Sequence, residues 1–411
     1  MKSTEVRYDI IAKQLTSLVC PVLLLWTVVY LLGWSLWLIA FYVITPYFAP
    51  FWLGPYVLTF IRTSLTNDTL PLHIRTLGLC RLFYHFFLKQ PAFNVAWWID
   101  EILFPLYHST KINSPTFILG QPRSGTTKLL DILATNDKHV VALKFWELMY
   151  PILWIQYLTD FVDFYNVKYF GGRLTHLFNP FAAYGAKTMK MHRMGMDRWE
   201  EDDVLFTIHY LFSFAMFFEF PSKENMELNL NFRTLSESSR KRMFDIHRKT
   251  VQKVCIREGM HNLSIWQNGL CVGLPEESIP SMMKLLQGVT LDASKYDPLS
   301  NIEFKETMMN YMYRAHELEI EFIQELLKQE QHVQIIKFTE LFEDIPGVIT
   351  KAMLELGIPI PIEYKAFLLQ EQKKQLGHTK TEVDKSASSI AEIERNCSTF
   401  YERLNFLKSK V

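Results

Sequence analysis

The chain has 411 residues, of which 49% are hydrophobic, 14% aromatic and 21% charged, a balance too apolar for a disordered protein. Lysine plus arginine and aspartate plus glutamate number 43 each, so no net field gathers nucleic acid, and nucleic-acid partners are excluded on that ground. Five cysteines are too few for a disulfide scaffold in so long a chain, and the absence of a Cys-x-x-Cys pair excludes a zinc ribbon and a thioredoxin-type site.

In chain order the first element is the greasiest. Between Lys13 and Arg62 there is no Lys, Arg, Asp or Glu. Within it, Leu15 to Val43 is long enough to cross a hydrocarbon core of roughly 30 Å as a helix. It is too long for a signal-peptide core. Trp34, Trp37, Tyr42, Tyr47 and Trp52 thicken toward its exit side, as interfacial aromatics do. The expectation is an N-terminal unit, 1–62, holding a single transmembrane helix at about 15–43, with the lipid bilayer as partner. Pro46, Pro50 and Pro55 make Pro46 to Ile61 interfacial or re-entrant. Lys2, Arg7 and Lys13 before the span place the N-terminus in the cytoplasm and the body in a lumen, of the Golgi or another secretory membrane. Sequons at Asn67, Asn262 and Asn396 are compatible with that side.

Residues 63–112 read as linking helices, with Leu70 to Gln90 amphipathic and Trp97 to Tyr107 aromatic. After Asn113 strands and helices alternate. Pro115 to Leu119 is a short strand, and Thr126 to Ala134 has helical spacing. Val140 to Leu143, Leu263 to Trp266, Val289 to Leu291 and Val333 to Phe338 are further strands. A long helix is expected over about Glu306 to Gln331, and another is bounded by Pro346 and Gly357. Alternation of this kind predicts an α/β fold, a parallel sheet flanked by helices over 113–411.

Chemistry concentrates in Gly120-Gln121-Pro122-Arg123-Ser124-Gly125-Thr126-Thr127-Lys128, between the first strand and its helix. A Gly-bounded loop that opens a helix gathers several backbone N–H groups around one anion. Gly120 and Gly125 have the spacing of the glycines in G-x-x-x-x-G-K-[ST], but Thr126 stands where that motif has lysine. A nucleoside triphosphatase or kinase would lack its phosphate-reaching cation. Arg123 supplies the charge instead, followed by the hydroxyls of Ser124, Thr126 and Thr127. That set suits a 5′-phosphosulfate better than a triphosphate with magnesium.

This loop resembles that of P-loop sulfotransferases, which use 3′-phosphoadenosine 5′-phosphosulfate (PAPS). It is similar in particular to the broad, largely microbial family with a P-R-S-G-T-T-x-L-x-x-L-L-A signature. Phe145 to Pro151 looks like that family's W-E-x-x-Y-P segment, and Trp199-Glu200-Glu201-Asp202, with His192 upstream, looks like its P-E-E segment. Phe338 to Leu341, Gly357-Ile358-Pro359 and Gly377-His378 resemble later segments, so the likeness covers roughly 113–411. It implies a P-loop sulfotransferase-like fold, PAPS as co-substrate with no metal, and binding of PAPS through Gln121, Pro122, Arg123, Ser124, Gly125, Thr126 and Thr127. Two segments depart from the family. Trp266-Gln267-Asn268-Gly269 stands where it carries Lys-[SN]-P, and Tyr296 falls in register with an arginine that binds the 3′-phosphate. Lys295, a point charge without a guanidinium's fork, and Ser300 are then left for that phosphate.

Sulfuryl transfer to a hydroxyl needs in-line positioning, positive charge and a base for the acceptor proton. Arg123 is the expected cation, with Lys128 one turn into the helix. Glu147, among Phe145, Trp146, Leu148 and Tyr150, is the expected base, since such a setting raises a carboxylate pKa. Glu201, in the acidic run Glu200 to Asp203, is the second candidate; otherwise the run is a solvated face. The apolar stretches Met149 to Tyr169 and Val204 to Phe220 are core or the wall of an acceptor site, which makes a lipid, sterol-like or glycan alcohol the expected acceptor. The competing readings are a catalytically impaired relative that binds a ligand and, less favoured, a P-loop kinase.

Overall fold

A computed structural model describes residues 27–30, 32–36, 54–66, 70–112, 118–121, 124–136, 139–172, 195–209, 236–259, 269–272, 275–329, 333–355, 357–376 and 390–408. The helices α1 (Gly54–Thr66), α2 (Leu72–Tyr84) and α3 (Gln90–Leu103) come first. A π-helical turn, His85–Lys89, joins the last two, and Gln90 N–H donates to the His85 carbonyl. Its cause is Pro91, which has no N–H for the preceding turn and whose ring crowds the carbonyl four residues back.

The body continues with β1 (Ile118–Leu119), α4 (Thr126–Ala134), α5 (Phe145–Met149), α6 (Leu153–Phe170), α7 (Asp203–Ile208) and α8 (Glu237–Arg257). Then follow β2 (Gly269–Val272), α9 (Pro275–Ser294), α10 (Ile302–Lys328), β3 (Gln334–Lys337), α11 (Phe338–Glu343), α12 (Ile345–Glu355), α13 (Ile362–Leu376), α14 (Ile390–Asn396) and α15 (Ser398–Lys408). The described strands form one parallel sheet in the order β1-β2-β3. Ile118 pairs with Gly269 and Gly269 with Gln334. Ile335 and Ile336 point to opposite faces, as successive strand residues must. Ile335 packs with α9 and α10, whereas Ile336 packs with α4, α12 and α13. The sheet is thus covered on both sides. A third cluster, with Phe60, Trp97, Leu148, Leu205 and Ile246, ties α1 and α3 to α5, α7 and α8.

Among the described residues no helix is long and apolar enough to cross a membrane. This corrects the expected single-pass anchor, with its cytoplasmic N-terminus and luminal body in a Golgi or other secretory membrane. α1 and α3 have 13 and 14 residues, about 20 Å at the helical rise and short of a core of roughly 30 Å. The longer α6 carries Asp160, Asp163 and Lys168. Of Leu15 to Val43, residues 27–30 and 32–36 are described, as helix; the rest lies outside the described residues.

α4 spans Thr126 to Ala134 as its spacing predicts. The helix bounded by Pro346 and Gly357 is α12, closed by Gly357 at φ +68° with the Ile358 N–H on the Met353 carbonyl, 2.8 Å. Two expected strands differ. Val289 to Leu291 lies within α9, because Ile279, Met282, Met283 and Leu286 bury one helical face that carries the run along. Val140 to Leu143 is irregular, and pairing begins only at Lys144, in an antiparallel bridge to Trp199. The strand expected at Leu263 to Trp266 lies outside the described residues.

Candidate anion-binding site

The site is assembled where β1 gives way to α4. The Ser124 N–H donates to the Gln121 carbonyl at 3.0 Å, closing a tight turn, and Ser124 is fully buried. Gly125 caps α4 at φ +93°, and a Cβ there would stand 2.1 Å from the ring of Phe338. Only glycine meets both demands. Pro122 and Arg123 lie outside the described residues. The Gln121 side chain points away from the loop, and its Nε2 donates to the Ala315 carbonyl of α10 at 3.1 Å.

On the first turn of α4, the hydroxyls of Thr126 and Thr127 both donate to one oxygen, Glu201 Oε1, at 2.6 and 2.9 Å. Backbone pairing carries Glu201 there. The Glu200 N–H donates to the Leu143 carbonyl and the Phe145 N–H to the Arg198 carbonyl, each at 2.9 Å. The Arg198 guanidinium then clamps Asp131 of α4. Glu201 is therefore engaged by the loop helix rather than left on a solvated face. Glu200 is buried, and its carboxyl is pushed up to about 7 by burial first and by the charge of Glu201 second. Asp202 Oδ2 lies 2.5 Å from His247 Nε2 on α8.

Glu147 sits one segment away and is engaged on both oxygens. Oε2 accepts from its own helix cap, the Lys144 N–H, at 2.7 Å, and Oε1 pairs with Arg257 Nη2 at 2.6 Å. Burial pushes its carboxyl up, against the pull of Arg257 and of the cap. Arg257 also meets Glu258 and Asp160 and lies over the Trp146 ring. Lys128 pairs with Glu371 of α13 at 2.8 Å, so it belongs to the packing of α4 on α13.

The segment expected at the 3′-phosphate is a helix-closing turn. Lys295 adopts φ +58° and is exposed, with its N–H on the Leu291 carbonyl. Tyr296 packs on the cluster of Leu143 and Leu205. The Ser300 hydroxyl donates to the Asp297 carbonyl at 2.7 Å. His192, Trp266 to Asn268, Gly377 and His378 lie outside the described residues.

Two groups escaped the sequence reading. The Arg198–Asp131 clamp joins residues 67 apart, and nothing in local pattern announces it. His316 and Glu319 carried a signal, because both fall on the apolar stripe of α10 formed by Met308, Met312, Ala315, Ile320 and Ile323. Among the described residues no group of three His, Cys, Asp or Glu is arranged to hold a metal ion.

The arrangement matches solved structures in fold. Sulfotransferase STF1 from Mycobacterium tuberculosis H37Rv superposes with a TM-score of 0.51 at 13% identity, over 83% of this chain and 91% of that one. Sulfotransferase STF9 from Mycobacterium avium gives 0.55 at 11% identity, over 82% and 88%. The chain thus has an α/β sulfotransferase-like fold, rich in helix. No family profile and no curated protein sequence matches it significantly.

Proposed function

We propose that the protein is a sulfotransferase that moves the sulfuryl group of PAPS to a hydroxyl of a lipid, sterol-like or glycan acceptor. One observation carries this reading: two hydroxyls on the first turn of α4 converge on a single anionic oxygen, behind a glycine-bounded turn in a sulfotransferase-like fold. The donor set fits an anion, since a carboxylate already uses it. The donor's 5′-phosphate would be held by the loop N–H groups, Ser124, Thr126, Thr127 and Arg123, with Arg123 the cation for the transferring group. Lys295 and Ser300 are the proposed 3′-phosphate contacts, Ser300 after its hydroxyl turns from Asp297. Donor binding turns the threonine hydroxyls onto phosphate and releases Glu201, which then takes the acceptor proton as general base. Glu147 is the second candidate for the base and serves only when its Arg257 pair opens. The exposed rings of Phe161, Phe164, Tyr165 and Tyr169 on α6 favour an acceptor with an apolar part.

The competing reading is a binding protein of the same fold that does not turn over. It is favoured by Tyr296, which packs into a core where a phosphate-binding arginine is expected. The deciding experiment pairs binding with transfer. A thermal shift with 3′-phosphoadenosine 5′-phosphate, at a hundred times its dissociation constant, should add about 2.7 kcal/mol of stability. Labelled PAPS should then mark an acceptor in a lipid or glycan extract. Binding without transfer selects the binding protein, and absence of both rejects the sulfotransferase.

A further inference from the structure

Beneath the loop lies a buried polar group that none of the roles above uses. Gln121 Nε2 donates to Ala315 O, a mid-helix carbonyl that helix geometry already commits to the Glu319 N–H. The side chain of Glu319 is buried, and among the described residues neither of its oxygens receives a hydrogen bond of good geometry. Two polar groups face it: the Gln121 amide from the loop and His316 Nδ1, 3.7 Å away on its own helix. α9 reaches this group through the Ser278 hydroxyl, 2.9 Å from His316 Nε2, and α15 through the edge of the Phe400 ring. Asn396, Glu392 and Cys397 act instead on Tyr313, on the same helix as Glu319.

A carboxyl set into an apolar stripe with so little to hold its charge is costly to the fold, and an exception of this kind calls for a role. We propose that Glu319 is a positioning residue for the donor loop, acting through Gln121 to hold the loop's first turn in its anion-accepting form. The inference rests on the anion-binding reading of the loop given above. Burial pushes the Glu319 carboxyl up to about 8, and it pulls His316 down to about 3, so both are uncharged at neutral pH. When Glu319 loses its proton to solvent, the carboxylate competes with Ala315 O for the Gln121 amide and re-aims the turn. It also sets a negative charge behind an anion site, where the interior screens it weakly.

The test is calorimetric binding of 3′-phosphoadenosine 5′-phosphate to the full chain at about pH 7 and about pH 9, on either side of the Glu319 transition. Wild type should bind roughly tenfold more weakly at the higher pH, a change equivalent to about one pKa unit. Glu319→Gln is neutral throughout; it should match wild type at the lower pH and show no such loss at the higher. Glu200 titrates near the same loop, but it does so in both proteins and cancels in their comparison. Gln121→Ala should bind several-fold more weakly at the lower pH and also show a smaller pH loss than wild type, which a lost direct contact alone would not give; that second result decides the matter if Glu319→Gln fails to fold. An equal pH loss in wild type and Glu319→Gln, or unchanged affinity in Gln121→Ala, overturns this inference and leaves the anion-binding reading standing. Failure of wild type to bind the probe at either pH overturns both.

Discussion

Glu147 and Glu201 are both glutamates beside aromatic or acidic neighbours, yet their surroundings hold them differently. Glu201 Oε1 accepts from two hydroxyls that a phosphate could take over, and in the proposed reaction the donor's arrival frees it. Glu201→Gln keeps the shape and removes the proposed base, so turnover should fall by on the order of a hundredfold or more. Affinity for 3′-phosphoadenosine 5′-phosphate should hold or rise, because a negative charge has left the site; calorimetry and initial rates separate the two effects. Glu147 instead neutralises a buried guanidinium. Glu147→Gln leaves Arg257 with Glu258 and Asp160 and should cost about 1–3 kcal/mol in urea unfolding, with turnover per folded molecule kept. Lost turnover at unchanged stability would assign the base to Glu147. Glu200 adds a pH effect. Its folded pKa, about 7, lies above the ordinary 4.5, so the folded state holds the extra proton between those values. Stability should therefore fall as pH rises from about 4.5 to about 7, and thermal melts of Glu200→Gln should show a flatter profile.

Single elements here begin and end through side chains from other parts of the chain. α6 has no side-chain cap of its own, and Ile152 precedes it. Its first N–H groups are met by Asp100 of α3, at 2.6 Å from Leu153 N and 2.9 Å from Trp154 N. The same carboxylate pairs with Lys253 of α8 at 2.8 Å, and both side chains are fully buried. Lys253 lies against the faces of Trp97 and Tyr107, and burial lowers its ammonium to about 7 in spite of Asp100. Asp100→Ala would strip the cap from α6 and leave the lysine without its counter-charge. The expected loss is about 3–5 kcal/mol, read from urea unfolding, because removing one partner of a buried pair exposes the full desolvation cost of the other. Asp100→Asn should lose less, since its amide oxygen still accepts one N–H.

Across the whole molecule, the loop is held by contacts from widely separated stretches of chain. Thr126 and Thr127 reach Glu201, Lys128 reaches Glu371, and the Tyr364 hydroxyl donates to the Ile132 carbonyl at 2.9 Å. The C-terminal helices close the cluster beneath the sheet, where Ile393, Phe400 and Leu404 pack on α9 and α10. Phe400 is fully buried and touches His316. Phe400→Ala should therefore cost about 3–5 kcal/mol in urea unfolding, the usual loss for an emptied aromatic site. A loss well under 1 kcal/mol would show that α15 docks only loosely on the core.

The sequence by itself determined the loop, the helix that follows it and the terminus of α12. Each of these depends on residues close together in the chain: Gly120 and Gly125 around the turn, the apolar spacing of Leu129, Ile132 and Leu133, and Gly357 before Pro359. Tertiary structure decided the rest. The Val289 to Leu291 run reads as a strand by local preference, but burial of a neighbouring helical face outweighs so short a run. Glu201 and Glu147 cannot be told apart by local pattern, because the hydroxyls of one come from 75 and 74 residues away and the guanidinium of the other from 110. The uncharged stretch near the N-terminus satisfied the length rule for a span, yet no described helix is both long and apolar enough to be one. Turn chemistry and helical periodicity act over a few residues and are written locally, whereas burial and ionic partners are set by which distant segments the fold brings together.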